Sequence, residues 1–179
     1  MRSIVLDTNV ALVAVGAFEV DGGQPTRQLK VWCLNQLDDI MNGRVKLIID
    51  EAREFVSEYM RKTPNFPLGE QFIKWLSQNM WQLGGVETVP IHKTTGGYEE
   101  FPADKDLQEF DLADRKFVAV AIAHPQKPPV LEATDGKWWK WEKTLSRHGI
   151  RVEFGDSDFI KGLCQKKHNC QGDCEGCGG

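Results

Sequence analysis

Four short apolar runs of this chain each lead to a carboxylate at or near their C-terminal end. Ser3-Ile4-Val5-Leu6 runs into Asp7-Thr8-Asn9, and Val45-Lys46-Leu47-Ile48-Ile49 runs into Asp50, followed by Glu51, Glu54 and Glu58. Asp111 and Asp114 open an apolar, helix-like stretch, and Asp135 follows Val130-Leu131-Glu132-Ala133-Thr134. Parallel α/β sheets gather ligands at the carboxyl ends of their strands, so residues distant in sequence converge there. Carboxylates a few ångströms apart raise one another's pKa. A hard cation resolves that conflict, and the pattern therefore reads as a Mg²⁺ or Mn²⁺ site.

Each acid also has a plain structural reading. Asp7, Asp50, Asp111 and Asp114 are good helix N-caps, Asp135 precedes a glycine as a turn aspartate does, and Glu58 suits a solvated helix face. Singly none is specific; the inference rests on four arriving at corresponding places.

The elements that must position them alternate in type. Arg27 to Met41 carries Leu29, Trp32, Cys33, Leu37, Ile40 and Met41 at helical spacing and is closed by Asn42-Gly43. Strands are expected over Val45–Ile49, Val86–Ile91, Val130–Ala133 and Ile150–Phe154. Further helices are expected after Asp50, over Leu68–Leu83, after Asp111 or Asp114, and over Lys137–Arg147. His92 to Glu109 reads as a long polar loop. Strand–helix alternation predicts a parallel α/β sandwich. Residues 1–155 form the expected domain and 156–179 a Cys-rich tail.

The chain has 179 residues, 41% hydrophobic and 27% charged, and a formal net charge of −4. That balance argues against a protein that coats polyanions generically, although a carboxylate metal site supplies several of the negative charges itself. No apolar run is long enough to span a bilayer, and a strand pattern starts too soon for a signal peptide, so cytoplasmic location is expected.

The same residues carry a family resemblance from about Met1 to Phe154. Ile4-Val5-Leu6-Asp7-Thr8-Asn9-Val10 resembles the first motif of the PIN-domain nucleases, and Ile48 to Tyr59 resembles the second, an acid on the helix after the second strand. Asp114-Arg115-Lys116-Phe117-Val118-Ala119-Val120-Ala121 is similar to the third, and Leu131-Glu132-Ala133-Thr134-Asp135 to the fourth. The resemblance implies a PIN-like three-layer α/β/α sandwich with a central, mostly parallel sheet. It also implies Mg²⁺- or Mn²⁺-dependent phosphodiester hydrolysis, of RNA more than of DNA, by Asp7, Glu58, Asp114 and Asp135 as metal-binding, catalytic carboxylates. Glu54 competes with Glu58 for the second place, and Asp111 with Asp114 for the third. Thr8, Asn9 and Thr134 are candidates to orient the acids or a water, with local turn and cap bonding as the alternative. Small PIN proteins are often toxins of toxin–antitoxin pairs, which implies an inhibitory, antitoxin-like protein partner; a homodimer is a further partner state. The length of this chain sets the toxin role in more doubt than the nuclease activity.

Two stretches stand apart. In Lys137-Trp138-Trp139-Lys140-Trp141, Trp138 and Trp141 share a helix face with Leu145 and read as core. Trp139, Lys137 and Lys140 are the candidates for stacking on bases and meeting phosphates. Cys33 reads as a buried small hydrophobe. Cys164, Cys170, Cys174 and Cys177 crowd the tail with a C-x-x-C pair at its end and suit a tetrahedral Zn²⁺, against the alternative of a reduced, disordered tail.

Two rival functions remain open. One is a non-catalytic, PIN-like module that binds protein or nucleic acid. The other is a HAD- or receiver-like phosphoryl-transfer domain, which would want a second aspartate that Asp7-Thr8-Asn9 lacks.

Overall fold

A computed structural model describes residues 1–17, 23–63, 65–80 and 84–168. Its centre is a five-stranded, wholly parallel sheet in the order β3-β2-β1-β6-β7. The strands are β1 (Arg2–Leu6), β2 (Val45–Asp50), β3 (Val86–Val89), β6 (Val130–Glu132) and β7 (Val152–Phe154). A two-stranded antiparallel hairpin, β4 (Lys93–Thr94) and β5 (Gly97–Tyr98), lies outside this sheet. The helices are α1 (Thr8–Val15), α2 (Arg27–Met41), α3 (Glu54–Lys62), α4 (Pro67–Asn79), α5 (Arg115–Ala123), α6 (Gly136–Arg147) and α7 (Ser157–His168). Helices flank the sheet in a three-layer α/β/α sandwich.

The innermost strands are the apolar runs of the sequence. Ile4, Val5, Leu6, Leu47, Ile48, Ile49, Val130 and Leu131 are all buried, as expected where both faces of a parallel sheet are covered. Each such side chain contributes on the order of 1.5–3 kcal/mol by leaving water. Helix α1 packs on α2, and α5 packs across β1, β2 and β6.

Local chemistry sets the helix ends. Asp7 caps α1, Thr26 caps α2 through its hydroxyl (3.1 Å from the Leu29 N–H), and Pro67 opens α4. Trp138 and Leu145 are buried and Trp141 packs against the core, as their shared helix face predicts. Cys33 is likewise buried.

Two stretches depart from the sequence expectation. The segment read as a long polar loop holds the β4–β5 hairpin and a 3₁₀ turn over Lys105–Leu107, with Phe101 and Leu107 buried, and Phe110 buried just beyond it. Arg115 fastens it: its guanidinium donates to the carbonyls of Gly96 (2.7 Å) and Gln108 (2.8 Å) and stacks over Phe101 at 4.5 Å. These few apolar residues and one cation order a stretch too polar to show a period. The second departure is α7, within the segment read as a tail. It packs on α6 and buries Ile160, Leu163 and Cys164. A Cβ on Gly136 would fall 2.7 Å from the Cys164 backbone nitrogen, so this packing requires the glycine. Cys164 is disulfide-bonded. Cys170, Cys174 and Cys177 lie outside the described residues. No helix among the described residues is long and apolar enough to cross a membrane.

Candidate functional site

Strand register builds the site. Ile4 pairs with Leu47 and Leu6 with Leu131. Carried one residue past β1, these pairings place Asp7 between Asp50 at the end of β2 and Glu132 at the end of β6. The chain leaves β1 toward β2 on one side and returns as β6 on the other, so Asp7 and Glu132 flank the break in strand order, where open α/β sheets bind ligands.

The three carboxyls are held differently. Both oxygens of Asp50 are satisfied by the start of α3, from the N–H groups of Glu54 (2.7 Å) and Phe55 (2.9 Å). Sequence predicts Asp50 as the N-cap of this helix, but the N-cap is Arg53, and Asp50 serves the first N–H groups of α3 from three residues upstream. Asp7 accepts the Asn9 N–H at 2.7 Å, so it too caps a helix, yet it is 3% exposed. Glu132 is wholly buried. Its Oε1 accepts the N–H groups of Ala133, Thr134 and Asp135, each at 2.9 Å, while its Oε2 has no partner.

Three acids from other elements act on this pair. Glu58 reaches in from α3, Asp114 stands at the start of α5 without making a side-chain cap bond, and Asp135 caps α6 through the Lys137 N–H (2.9 Å). Burial pushes the Asp7 carboxyl well above its usual range, and the charges of Glu132, Asp114 and Glu58 push it further. Burial lifts Glu132 to about 8, with the charges of Asp135 and Asp114 adding to it against the backbone N–H bonds. Asp114 is pushed up to about 7, first by burial and then by Asp135, Asp111 and Glu58. Among the described residues, none of Asp7, Asp114, Glu132 and Asp135 is ion-paired with a lysine or arginine.

Glu58 is the exception. Burial works against its ionisation, but hydrogen bonds from Lys116 and Lys62 overcome this and bring it down to about 2. Lys62 sits at 2.5 Å, and the Lys116 ammonium is almost fully buried against Glu58.

The structure separates the competing pairs that sequence left open. Glu58 faces Asp7 and Asp114, whereas Glu54 turns to the hairpin, accepting the Tyr98 hydroxyl (2.8 Å) and Lys93 (2.8 Å). Asp111 accepts the Ala113 N–H (3.0 Å) and pairs with Lys137 at 3.2 Å on the rim. Thr8 and Thr134 are buried with hydroxyls that have no partner, while Asn9 contributes its backbone N–H. Of the proposed substrate residues, Lys137 lies beside the acids. Lys140 sits over Trp141 (4.2 Å) and reaches Glu109 (3.4 Å), and Trp139 is half-buried with its ring 5.3 Å from Phe154.

Sequence reasoning missed Glu132 as a site residue. The signal was present as a lone acid inside the apolar strand before Asp135.

The acids interact without being collapsed onto one point. Among the described residues, His92, Glu99 and Glu100 are the only three His, Cys, Asp or Glu groups with ligand atoms mutually within 4.8 Å. They form a surface group in which His92 already bonds Glu100 at 2.7 Å. An open groove of about 350 Å³ lies beside the acids rather than over them, lined by Glu54, Lys93, Tyr98, Leu112 and Lys116 among others. No family model, curated protein or solved structure matches the chain.

Proposed function

We propose that this protein is a divalent-metal-dependent nuclease of the PIN type that hydrolyses phosphodiester bonds in RNA. One observation carries the reading: at the break in strand order, buried Asp7 and Glu132 stand together without a counter-charge, beside three unpartnered buried polar atoms, Glu132 Oε2, Thr8 Oγ1 and Thr134 Oγ1. Leaving such atoms bare costs on the order of 1–3 kcal/mol each. A hard cation and its water shell answer both needs, and an all-oxygen donor set suits Mg²⁺ or Mn²⁺.

In this reading Asp7, Glu58, Asp114 and Asp135 hold the metal. Bound there, it supplies Lewis-acid polarisation of a phosphate and neutralises charge on the leaving oxygen. Asp7, fixed by a strand end and by the Asn9 N–H, sets the position. Lys116 keeps Glu58 ionised, because it is buried against that carboxylate. The Thr8 and Thr134 hydroxyls orient acids or a water. Lys137, half-exposed beside Asp111, meets a phosphate at the rim.

The open spacing of the acids favours a second reading, a PIN-like binding module that does not cut. Cleavage of labelled single-stranded RNA and matched DNA, by wild type and Asp7→Asn in EDTA, Mg²⁺ or Mn²⁺, separates the two. Metal-dependent cutting of RNA that vanishes in the variant is expected. Cutting that survives Asp7→Asn, or a folded wild type that neither cuts nor takes up Mn²⁺, overturns the nuclease.

A further inference from the structure

We propose that Glu132 is itself a ligand of the divalent ion, the partner of Asp7 across the break between β1 and β6; this rests on the metal-dependent reading above. The two residues occupy one register row on adjacent strands. Three backbone N–H groups converge on Oε1 at 2.9 Å each, which fixes the plane of the carboxyl and leaves Oε2 as its free end. That end is buried and has no partner.

A structural role alone does not account for this arrangement. A loop cap needs one acceptor, which a glutamine amide oxygen would supply without setting a second carboxyl against Asp7. A buried carboxyl oxygen left without a hydrogen-bond partner is costly whether the group is ionised or protonated. Asp50 is the internal control: it sits in the same row, both of its oxygens receive N–H bonds, and nothing is left to offer a ligand. Glu58 has both oxygens already engaged, one by Lys62 and one by Lys116. The unpartnered Thr8 and Thr134 hydroxyls, at the ends of the same two strands, mark this spot as the polar end of the site.

The test is Glu132→Gln, which keeps Oε1 for the three N–H bonds and replaces Oε2 with an amide NH₂. Mn²⁺ affinity is measured by titration calorimetry, and folding by circular dichroism and melting in EDTA. The expected result is a loss of Mn²⁺ affinity of about tenfold or more, with a melting temperature in EDTA equal to or above that of wild type. Wild-type Mn²⁺ affinity in Glu132→Gln, alongside loss in Asp7→Asn, overturns the Glu132 assignment, assigns it a capping or proton-sharing role, and leaves the metal site standing. A folded wild type that takes up no Mn²⁺ overturns both.

A second measurement does not depend on how that variant folds. Bound Mn²⁺ is examined by electron–nuclear double resonance in protein labelled with ¹³C at glutamate carboxyls, in wild type and Glu58→Gln. A carboxyl coupling that persists in Glu58→Gln supports Glu132, and its disappearance overturns the proposal.

Discussion

Two regions of this molecule are rich in acids, and they solve the problem of negative charge in opposite ways. Along the flank of α6, the segment from Asp104 to Asp111 lays its acids against a row of bases. Lys137 meets Asp111 at 3.2 Å, Lys140 meets Glu109 at 3.4 Å, Arg147 meets Asp106 at 2.8 Å and His148 meets Asp104 at 2.8 Å. These groups are largely in water, where each pair is worth about 0–1 kcal/mol. At the carboxyl edge of the sheet, Asp7 and Glu132 are withdrawn from water and make no ion pair, while half-buried Asp114 is acted on by Lys116 without pairing with it. Acid content therefore carries little information by itself. Burial is what distinguishes the acids at the sheet edge from those on the α6 flank.

The contrast is broken most forcefully at Asp7. Asp7→Asn keeps an acceptor for the Asn9 N–H and removes the central charge. RNA cleavage is expected to fall more than about 100-fold, while the melting temperature in EDTA stays the same or rises. A fall in melting temperature would show that the carboxylate serves the fold.

The next largest effect is expected at Lys116, the cation that makes Glu58 unlike its neighbours. Lys116→Met removes one partner of a pair whose side chains are 11% and 12% exposed. It should cost about 3 kcal/mol in urea unfolding, because Glu58 is left buried with less compensation. The Glu58 carboxyl, at about 2 in the wild type, should then titrate higher in a ¹³C NMR experiment.

A pH series sharpens the same contrast. Asp114 at about 7 and Glu132 at about 8 retain protons in the folded protein that the unfolded chain releases near about pH 4. Their contribution to stability is full below that value and is lost as the pH rises through about 7 and about 8. Glu58 acts in the other direction, and its contribution is lost as the pH falls from its unfolded value toward about 2. In EDTA the melting temperature should drop from about pH 5 to about pH 8, and saturating Mn²⁺ should flatten that slope. A flat profile in EDTA would mean the buried acids ionise freely.

The smallest effects belong to the α6 flank. Lys140→Ala and Arg147→Ala should each cost less than about 1 kcal/mol, be weaker still in high salt, and leave Mn²⁺ affinity unchanged. A loss of affinity in either variant would make the flank part of the site.

Much of the fold was legible because its signals are local. The apolar runs at Ile4–Leu6 and Leu47–Ile49, the period of Leu29, Cys33, Leu37 and Ile40, and the stop at Asn42-Gly43 all act within a few residues. The hairpin and α7 were not legible. The hairpin is held by Arg115, Phe101 and Phe110, which meet only in the folded chain, and α7 is recruited by packing on α6. Within the candidate site, Asp7 and Asp135 stand out in sequence by their places after apolar runs and Asp114 by opening one, while Glu58 came from the resemblance. Glu54 and Glu58 could not be separated there, since both suit the same helix, and only the folded chain turns Glu54 toward Tyr98.

The sequence by itself determined the element types and the delivery of acids to strand ends, because backbone propensity and hydrophobic period are short-range properties. Only the tertiary structure decided which acids are neutralised and which are left in conflict. Asp50 and Glu132 are both acids at the end of an apolar strand, yet one has both oxygens filled by a helix start and the other keeps one bare. Desolvation and charge coupling depend on distances through space, and no spacing along the chain records them.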